Sequence, residues 1–290
     1  MKLKMTCAGI HRAVDDWYVR SGQRALSVGE NKAPGLFIKP LTARHHFPHL
    51  FLNVFNKTVL MSATVGNVDD LAAELGIGKF EYKRVPNQWP AKSRPVHVAD
   101  VPAMGMSASD NARRMQAEKI AKVLKELPRD WSGIIHVTSW KQAYELKDRL
   151  NFFGVDIGRL FIPTRGQGTN KQMAEWNGVK RPGMLVLTPS MNAGVDLLQE
   201  RICIIAKVPW GYDEPGTFEH ERHRNSEKFY RWRCAADLEQ RCGRTRRGRP
   251  EDYDDDFNTN GYVGIFDGSF HKRGLVRHCS DDFREALIDD

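Results

Sequence analysis

No window of the 290-residue chain approaches the roughly 18 consecutive apolar residues that cross a bilayer, so no membrane-spanning helix is expected. The first ten residues carry Lys2 and Lys4 but no apolar run behind them, so no secretory leader is expected either. Cysteine is sparse and odd in number: Cys7, Cys203, Cys234, Cys242 and Cys279, with no C-x-x-C pair. That spacing argues against a disulfide framework or a zinc ribbon and points to reduced thiols in a cytoplasmic setting. There is no internal repeat and no low-complexity tract, which excludes solenoids and fibrous folds.

A 41% hydrophobic content is enough for one large domain or a domain and a half with a substantial core. The formal net charge of +8 favours polyanionic partners, of which nucleic acid is the commonest.

Residues 1–35 are polar and weakly periodic. A short apolar run follows at 58–61 and predicts a buried strand ending in Ser62-Ala63-Thr64. Asn67 then caps a helix that has Asp69 and Asp70 in its first turn and stops at Gly76 and Gly78. Residues 79–110 contain prolines 86, 90, 95 and 102, a composition suited to a linker. From there strands and helices alternate. Helices are expected at 111–127, 139–153, 171–176 and 218–246, and strands at 133–138, 155–162, 184–188, 202–208 and 262–266. Strands that are nearly continuous apolar runs between helices predict an α/β fold, with a parallel sheet covered on both faces and a ligand site at the C-terminal strand ends.

Three polar motifs sit where that site is expected. The first runs from Gln240 through Gly243 and Arg244 to Arg247, with the form Q-x-x-G-R-x-x-R. On a helix, Gln240, Arg244 and Arg247 share one face, and Gly243 allows close approach. Paired guanidinium forks suit a polyphosphate, although a solvated basic helix end has the same composition. The second motif, Thr188 to Leu197, follows an apolar strand and contains Gly194 and Asp196. Such a loop places a carboxylate and backbone N–H groups beside a ligand, or forms a tight turn. The third is Ser62-Ala63-Thr64, whose hydroxyls suit bonding across an interface or a simple turn.

Taken in this order, the three motifs resemble motifs III, V and VI of superfamily 2 helicases. Lys39-Pro40-Leu41, Ser139-Trp140 after a strand (similar to motif IV), Lys207-Val208-Pro209 and Gly264-Ile265-Phe266-Asp267 narrow the resemblance to the XPD/DinG branch over residues 36–270. Ala193 departs from that branch, which usually has Glu there, and suits superfamily 2 more generally. The resemblance implies a RecA-like second lobe over 96–290, the end of a first lobe with a linker over 36–95, and an unassigned 1–35 that matches the position of an arch-domain remnant.

The resemblance also assigns roles. Arg244, Arg247 and Gln240 are the catalytic set. Gly194, Asp196 and Gly243 bind nucleotide. Ser62, Ala63 and Thr64 couple the lobes. Ser139, Trp140, Arg165 and Thr188 contact the nucleic acid. The implied cofactor is ATP with magnesium, and the implied partner is single-stranded DNA, with RNA open because these motifs do not distinguish the two.

A complete motor also needs G-x-x-x-x-G-K-[ST] and a strand-linked Asp-Glu pair. Gly78-Lys79 has Ala73 and Phe80 at the other key positions, and Asp213-Glu214 is separated from its strand by Pro209, Trp210 and Gly211. The phosphates and metal are therefore expected on a P-loop half, carried by another chain or by a missing N-terminal region. Without it the chain is expected to be inactive, or to act as a nucleic-acid-binding protein descended from a helicase lobe. His45, His46 and His49 more simply decorate a surface than hold a metal. The basic, aromatic segment 220–233 fits either strand contact or a helix face with a buried aromatic side.

Overall fold

The computed structural model describes residues 17–24, 33–62, 64–87, 89–191, 200–211, 217–243, 245 and 261–289. The chain divides into two compact units. One takes its residues from 1–63, 68–82 and 210–232, the other from 64–67, 83–209 and 233–290.

The larger unit is built on seven strands: β3 (Val96–Val98), β4 (Gly133–His136), β5 (Leu160–Phe161), β6 (Leu185–Thr188), β7 (Ile202–Ile205), β8 (Tyr262–Ile265) and β9 (Leu287–Asp289). Their order is β5-β6-β4-β7-β8-β3-β9, and every neighbouring pair is parallel. The expected α/β parallel sheet is present.

The two-residue period of the strands explains why they are apolar throughout. Ile135, Leu185, Leu187, Ile202 and Ile204 pack with Ile120 and Leu124 of α2 (Asp110–Glu126) and with Leu146 and Leu150 of α3 (Trp140–Phe152). The alternate residues Ile134, Val186, Cys203 and Ile205 are equally buried. On that face the Cys203 thiol donates to the Arg241 carbonyl of α6 (Glu227–Cys242) at 3.3 Å. Helix starts follow capping chemistry: Ser109 Oγ accepts from Ala112 N at 3.1 Å and Ser139 Oγ from Gln142 N at 3.2 Å.

Asp267, buried at the end of β8, locks this edge. Its Oδ1 accepts from Met104 N at 2.8 Å and Ser269 N at 2.9 Å, and its Oδ2 from Val208 N at 2.9 Å. Gln116 donates to the carbonyls of Ala206 and Phe266, joining α2 to the ends of β7 and β8.

The smaller unit contains an antiparallel pair, β1 (Trp17–Arg24) and β2 (Ala33–Pro40), where no regular element is evident from sequence periodicity. It also holds α1 (Val68–Leu75) and α5 (Phe218–Asn225). Buried Glu74 accepts from Ala43 N at 3.0 Å, and Arg222 Nε donates to the Leu41 carbonyl at 3.1 Å. The Arg222 guanidinium lies 5.1 Å from the Phe218 ring and 4.3 Å from the Phe229 ring.

Several expectations are corrected. Residues 58–61 form no strand; Val59, Leu60 and Met61 are 81%, 51% and 91% exposed. An apolar run becomes a strand only beside a ladder partner, and no described strand pairs with it. The expected linker at 79–110 instead delivers β3 to the sheet interior, with Val98, Val101 and Met104 buried. The expected single helix at 218–246 is two helices. Ser226 leaves helical geometry at φ −152° and its Oγ caps α6 by accepting from Phe229 N at 3.2 Å. Helix α6 ends at Cys242, so of the Q-x-x-G-R-x-x-R motif only Gln240 to Cys242 is helical among the described residues.

Candidate nucleic-acid and nucleotide site

The sheet order places the ends of β5, β6 and β4 side by side, and three of the expected contact segments follow these strands. Beyond β5 come Thr164 and Arg165, both exposed, and Gly166 at φ +86°. Beyond β4 come Thr138, Ser139 and Trp140. The strand β6 itself ends on Thr188, followed by Ser190.

Polar side chains tie the β5 and β6 segments together, and a backbone bond from Val137 N to the Thr188 carbonyl at 3.3 Å joins the β4 segment to them. Thr188 is fully buried, and its Oγ1 lies 2.9 Å from Ser190 Oγ and accepts from Ser190 N at 3.1 Å. Ser190 Oγ donates to Gln172 Oε1, and Gln172 Nε2 donates to the Thr164 carbonyl at 3.1 Å. Glu175 accepts from Thr164 N at 2.9 Å, and that bond holds the Glu175 carboxyl below its ordinary range. Thr138 N donates to Gln142 Oε1 at 3.0 Å. Gln172 and Glu175, both on α4 (Thr169–Val179), thus position the loop that presents Arg165. Sequence reading passed over them. The available signal was a glutamine at helical spacing, i to i+4, from Trp176, which is itself fully buried.

At the end of β7 the half-buried Lys207 amine is pushed down mainly by burial, against the opposing pull of Asp267. This is where the strand order reverses, since β5 and β6 lie on one side of β4 and β7 and β8 on the other. A reversal of that kind opens a crevice in open α/β sheets.

On α6, Gln240 is half-buried, and the exposed Gly243 ends the helix in a turn where an added Cβ meets only ordinary contacts. Arg244, Arg247, Gly194, Asp196 and Ala63 lie outside the described residues. Ser62 and Thr64 follow the exposed run at 58–61 and belong to neither a helix nor a strand.

Arg241, beside Gln240, is 5% exposed. Its Nη2 is 2.9 Å from Asp237 Oδ2, while Nε and Nη1 are buried with no hydrogen-bond partner. Such orphaned donors cost about 1–3 kcal/mol each.

Glu239, on the same turn, is buried against Ser280, accepting from its N at 2.6 Å and Oγ at 2.8 Å. Burial pushes its carboxyl up to about 7 despite those bonds. In the unfolded chain the group ionises between about pH 4 and 5, so from there up to about 7 the unfolded state is the more ionised and stability falls as pH rises. Glu239→Gln cannot ionise. It is expected to flatten this slope and to raise stability near pH 8 by about 1–3 kcal/mol over the parent, with no gain near pH 5. Thermal unfolding at the two pH values reads this directly.

In the smaller unit, residues 220–232 of the basic, aromatic segment spend their aromatic rings internally. Tyr230 stacks with His223 at 4.4 Å and Trp210 at 5.7 Å, and its hydroxyl donates to the Gly211 carbonyl at 2.8 Å. Phe229 and Tyr230 are buried. Among the described residues no group of three or more His, Cys, Asp or Glu side chains is placed to hold a metal ion, and no helix is long and apolar enough to cross a membrane.

Comparison with protein-family models and with curated proteins returns no match. Among solved structures, one titled "XPD_APO" superposes with a TM-score of 0.56 at 15% identity, covering 91% of this chain and 56% of that one. The crystal structure of T4 UvsW matches at a TM-score of 0.36 and 8% identity, over 68% of this chain and 41% of that one, a level that adds no argument. The first likeness is one of fold alone: a RecA-like α/β arrangement. The chain spans little more than half the length of that structure.

Proposed function

We propose that this chain is the C-terminal half of an ATP-dependent DNA helicase, supplying arginine fingers and part of the single-strand groove to a P-loop half that carries the phosphate cradle and the metal. The observation that carries the reading is the juxtaposition of Ser139-Trp140, Thr188-Ser190 and Thr164-Arg165 at adjacent parallel strand ends of a RecA-like sheet, in a chain whose Q-x-x-G-R-x-x-R motif begins at the C-terminal end of α6.

In this reading exposed Arg165 holds a backbone phosphate and Trp140 offers a stacking surface, while Gln172 and Glu175 fix the loop that carries Arg165. ATP with magnesium, held by the P-loop half, supplies the phosphoryl group and the free energy. Arg244 and Arg247 donate to its phosphate oxygens on closure, and Gln240 orients the reacting groups from the helix end. The orphaned donors of Arg241 favour an anion at this helix end and so fit the polyphosphate. Ser62 and Thr64 transmit closure to the strand groove. The exposed run Val59-Leu60-Met61 supports a partner lobe, because it has the make-up of a sheet strand with no described strand beside it.

Arg165→Ala is expected to weaken binding of a labelled single strand about tenfold and to lower its salt dependence by about one unit of slope. Fluorescence anisotropy across a salt series measures both. Unchanged affinity and slope would remove the strand from this edge. An RNA competitor of the same sequence then tests the DNA assignment.

A further inference from the structure

The surface of α3 is used unevenly. Ala143, Leu146 and Leu150 belong to the core. One flank is spent on α2: Arg113 pairs with Glu145 at 3.1 Å and Arg149 with Asp110 at 2.6 Å. At 3.6 residues per turn the other flank carries Trp140, Tyr144, Lys147 and Asn151. None of these four side chains makes a hydrogen bond, ion pair or ring contact among the described residues. Tyr144 is 52% exposed. Trp140 and Lys147 are half-buried and Asn151 is exposed.

The topology says where that flank lies. β6 and β5 stand on one side of β4, and β7, β8 and β3 on the other. α2 arrives from β3 and α3 leaves for β5, packing beside α2, on β6 and on the turn at 157–159 that leads into β5. The flank turned away from α2 is therefore on the side of β5, the strand followed by Thr164 and Arg165. It begins at Trp140, at the strand ends, and runs back along the helix.

Four residues of helix separate Trp140 from Tyr144 by about 6 Å along the axis. That exceeds the rise of about 3.4 Å between successive units of a duplex strand. Two rings so spaced suit two successive bases of an unstacked single strand, which every base can offer because each has a π-face. Lys147, three residues beyond Tyr144 on the same flank, adds a cation for the phosphate between or after them. Asp148, exposed beside Tyr144, puts an anion on the outer side of the stripe, so the strand is expected on the Lys147 side. Single exposed apolar side chains need no explanation. Two unpartnered rings at helical spacing, followed by a lysine and continuous with the groove at the strand ends, call for one.

We infer that this flank of α3 extends the single-strand groove, with Tyr144 stacking on the base next to the one on Trp140 and Lys147 holding a phosphate. The inference rests on the groove reading and goes beyond it by giving the path: the strand turns back along α3 instead of continuing across β7.

The test uses the full chain and labelled oligothymidines of about four and about twelve nucleotides, within the usual range of single-strand site sizes. Tyr144→Ala is expected to weaken the longer probe about tenfold by anisotropy and to leave the shorter one unchanged, and Tyr144→Phe, which keeps the ring, to retain the parent affinity. Lys147→Ala is expected to lower the salt slope of the longer probe by about one. Arg165→Ala serves as the reference, weakening both lengths. A loss limited to the longer probe and spared by phenylalanine supports the path along α3. No loss from Tyr144→Ala and Lys147→Ala, while Arg165→Ala still weakens both lengths, overturns the path and leaves the groove standing. Equal loss at both lengths also overturns the path. No strand binding by the parent chain removes the groove and the path together.

Discussion

Arg244→Ala, in the chain recombined with a P-loop half, is expected to lower ATP turnover by roughly 10³–10⁵ while single-strand affinity stays largely unchanged. The size follows from where the charge develops. The transferred phosphoryl spreads negative charge over its oxygens, and a preorganised guanidinium offsets it only in the closed state. Arg165 and Trp140 follow β5 and β4 on the sheet, whereas Arg244 follows the end of α6, so strand binding and turnover separate. Arg244→Lys should rescue little, because an ammonium cannot donate as a planar fork. Steady-state hydrolysis and strand anisotropy on the same preparation check both halves of the expectation. Retained turnover would take Arg244 out of the catalytic set.

Asp267→Asn is expected to destabilise the larger unit by about 3–5 kcal/mol, lowering its Tm by roughly 10 °C. Asp267 is 1% exposed, and its two oxygens take three backbone N–H groups, from Met104, Val208 and Ser269. These donors come from the segments after β3, β7 and β8, so one carboxylate ties three strand ends. The amide of asparagine keeps the shape but turns a donor toward at least one of those N–H groups, leaving it buried and unbonded. The resemblance places Gly264-Ile265-Phe266-Asp267 after motif VI without assigning it a task; in the structure the carboxylate fastens the C-terminal strand ends of the sheet. Thermal melts followed by far-ultraviolet dichroism measure the shift. A Tm change of a degree or two would mean that the three bonds contribute little.

The reach of sequence reasoning differs from element to element for physical reasons. The strands at 133–138, 184–188, 202–208 and 262–266 were legible because both faces of the sheet are covered, which forces a continuous apolar run. Ser139 was legible as a cap because its hydroxyl has a local partner, Gln142 N. Strands β3 and β9 were not: each has only three residues, and the pairing of β3 with β8 and of β9 with β3 is decided by segments far apart in the chain. The run at 58–61 misled for the converse reason, since composition proposes a strand and only a neighbour makes one. Ser139, Trp140, Arg165 and Thr188 could be singled out because they end or follow strands, a position visible in the periodicity. Gln172, Glu175 and Ser190 were missed because their role lies in bonds between segments, which no local pattern encodes.

Single-strand-stimulated ATP hydrolysis by the purified chain, with and without a P-loop half, tests the central claim most directly. The account predicts no hydrolysis from the chain alone and strand-dependent hydrolysis once the P-loop half is added. Hydrolysis by the chain alone, or none in either mixture while strand binding persists, would contradict it.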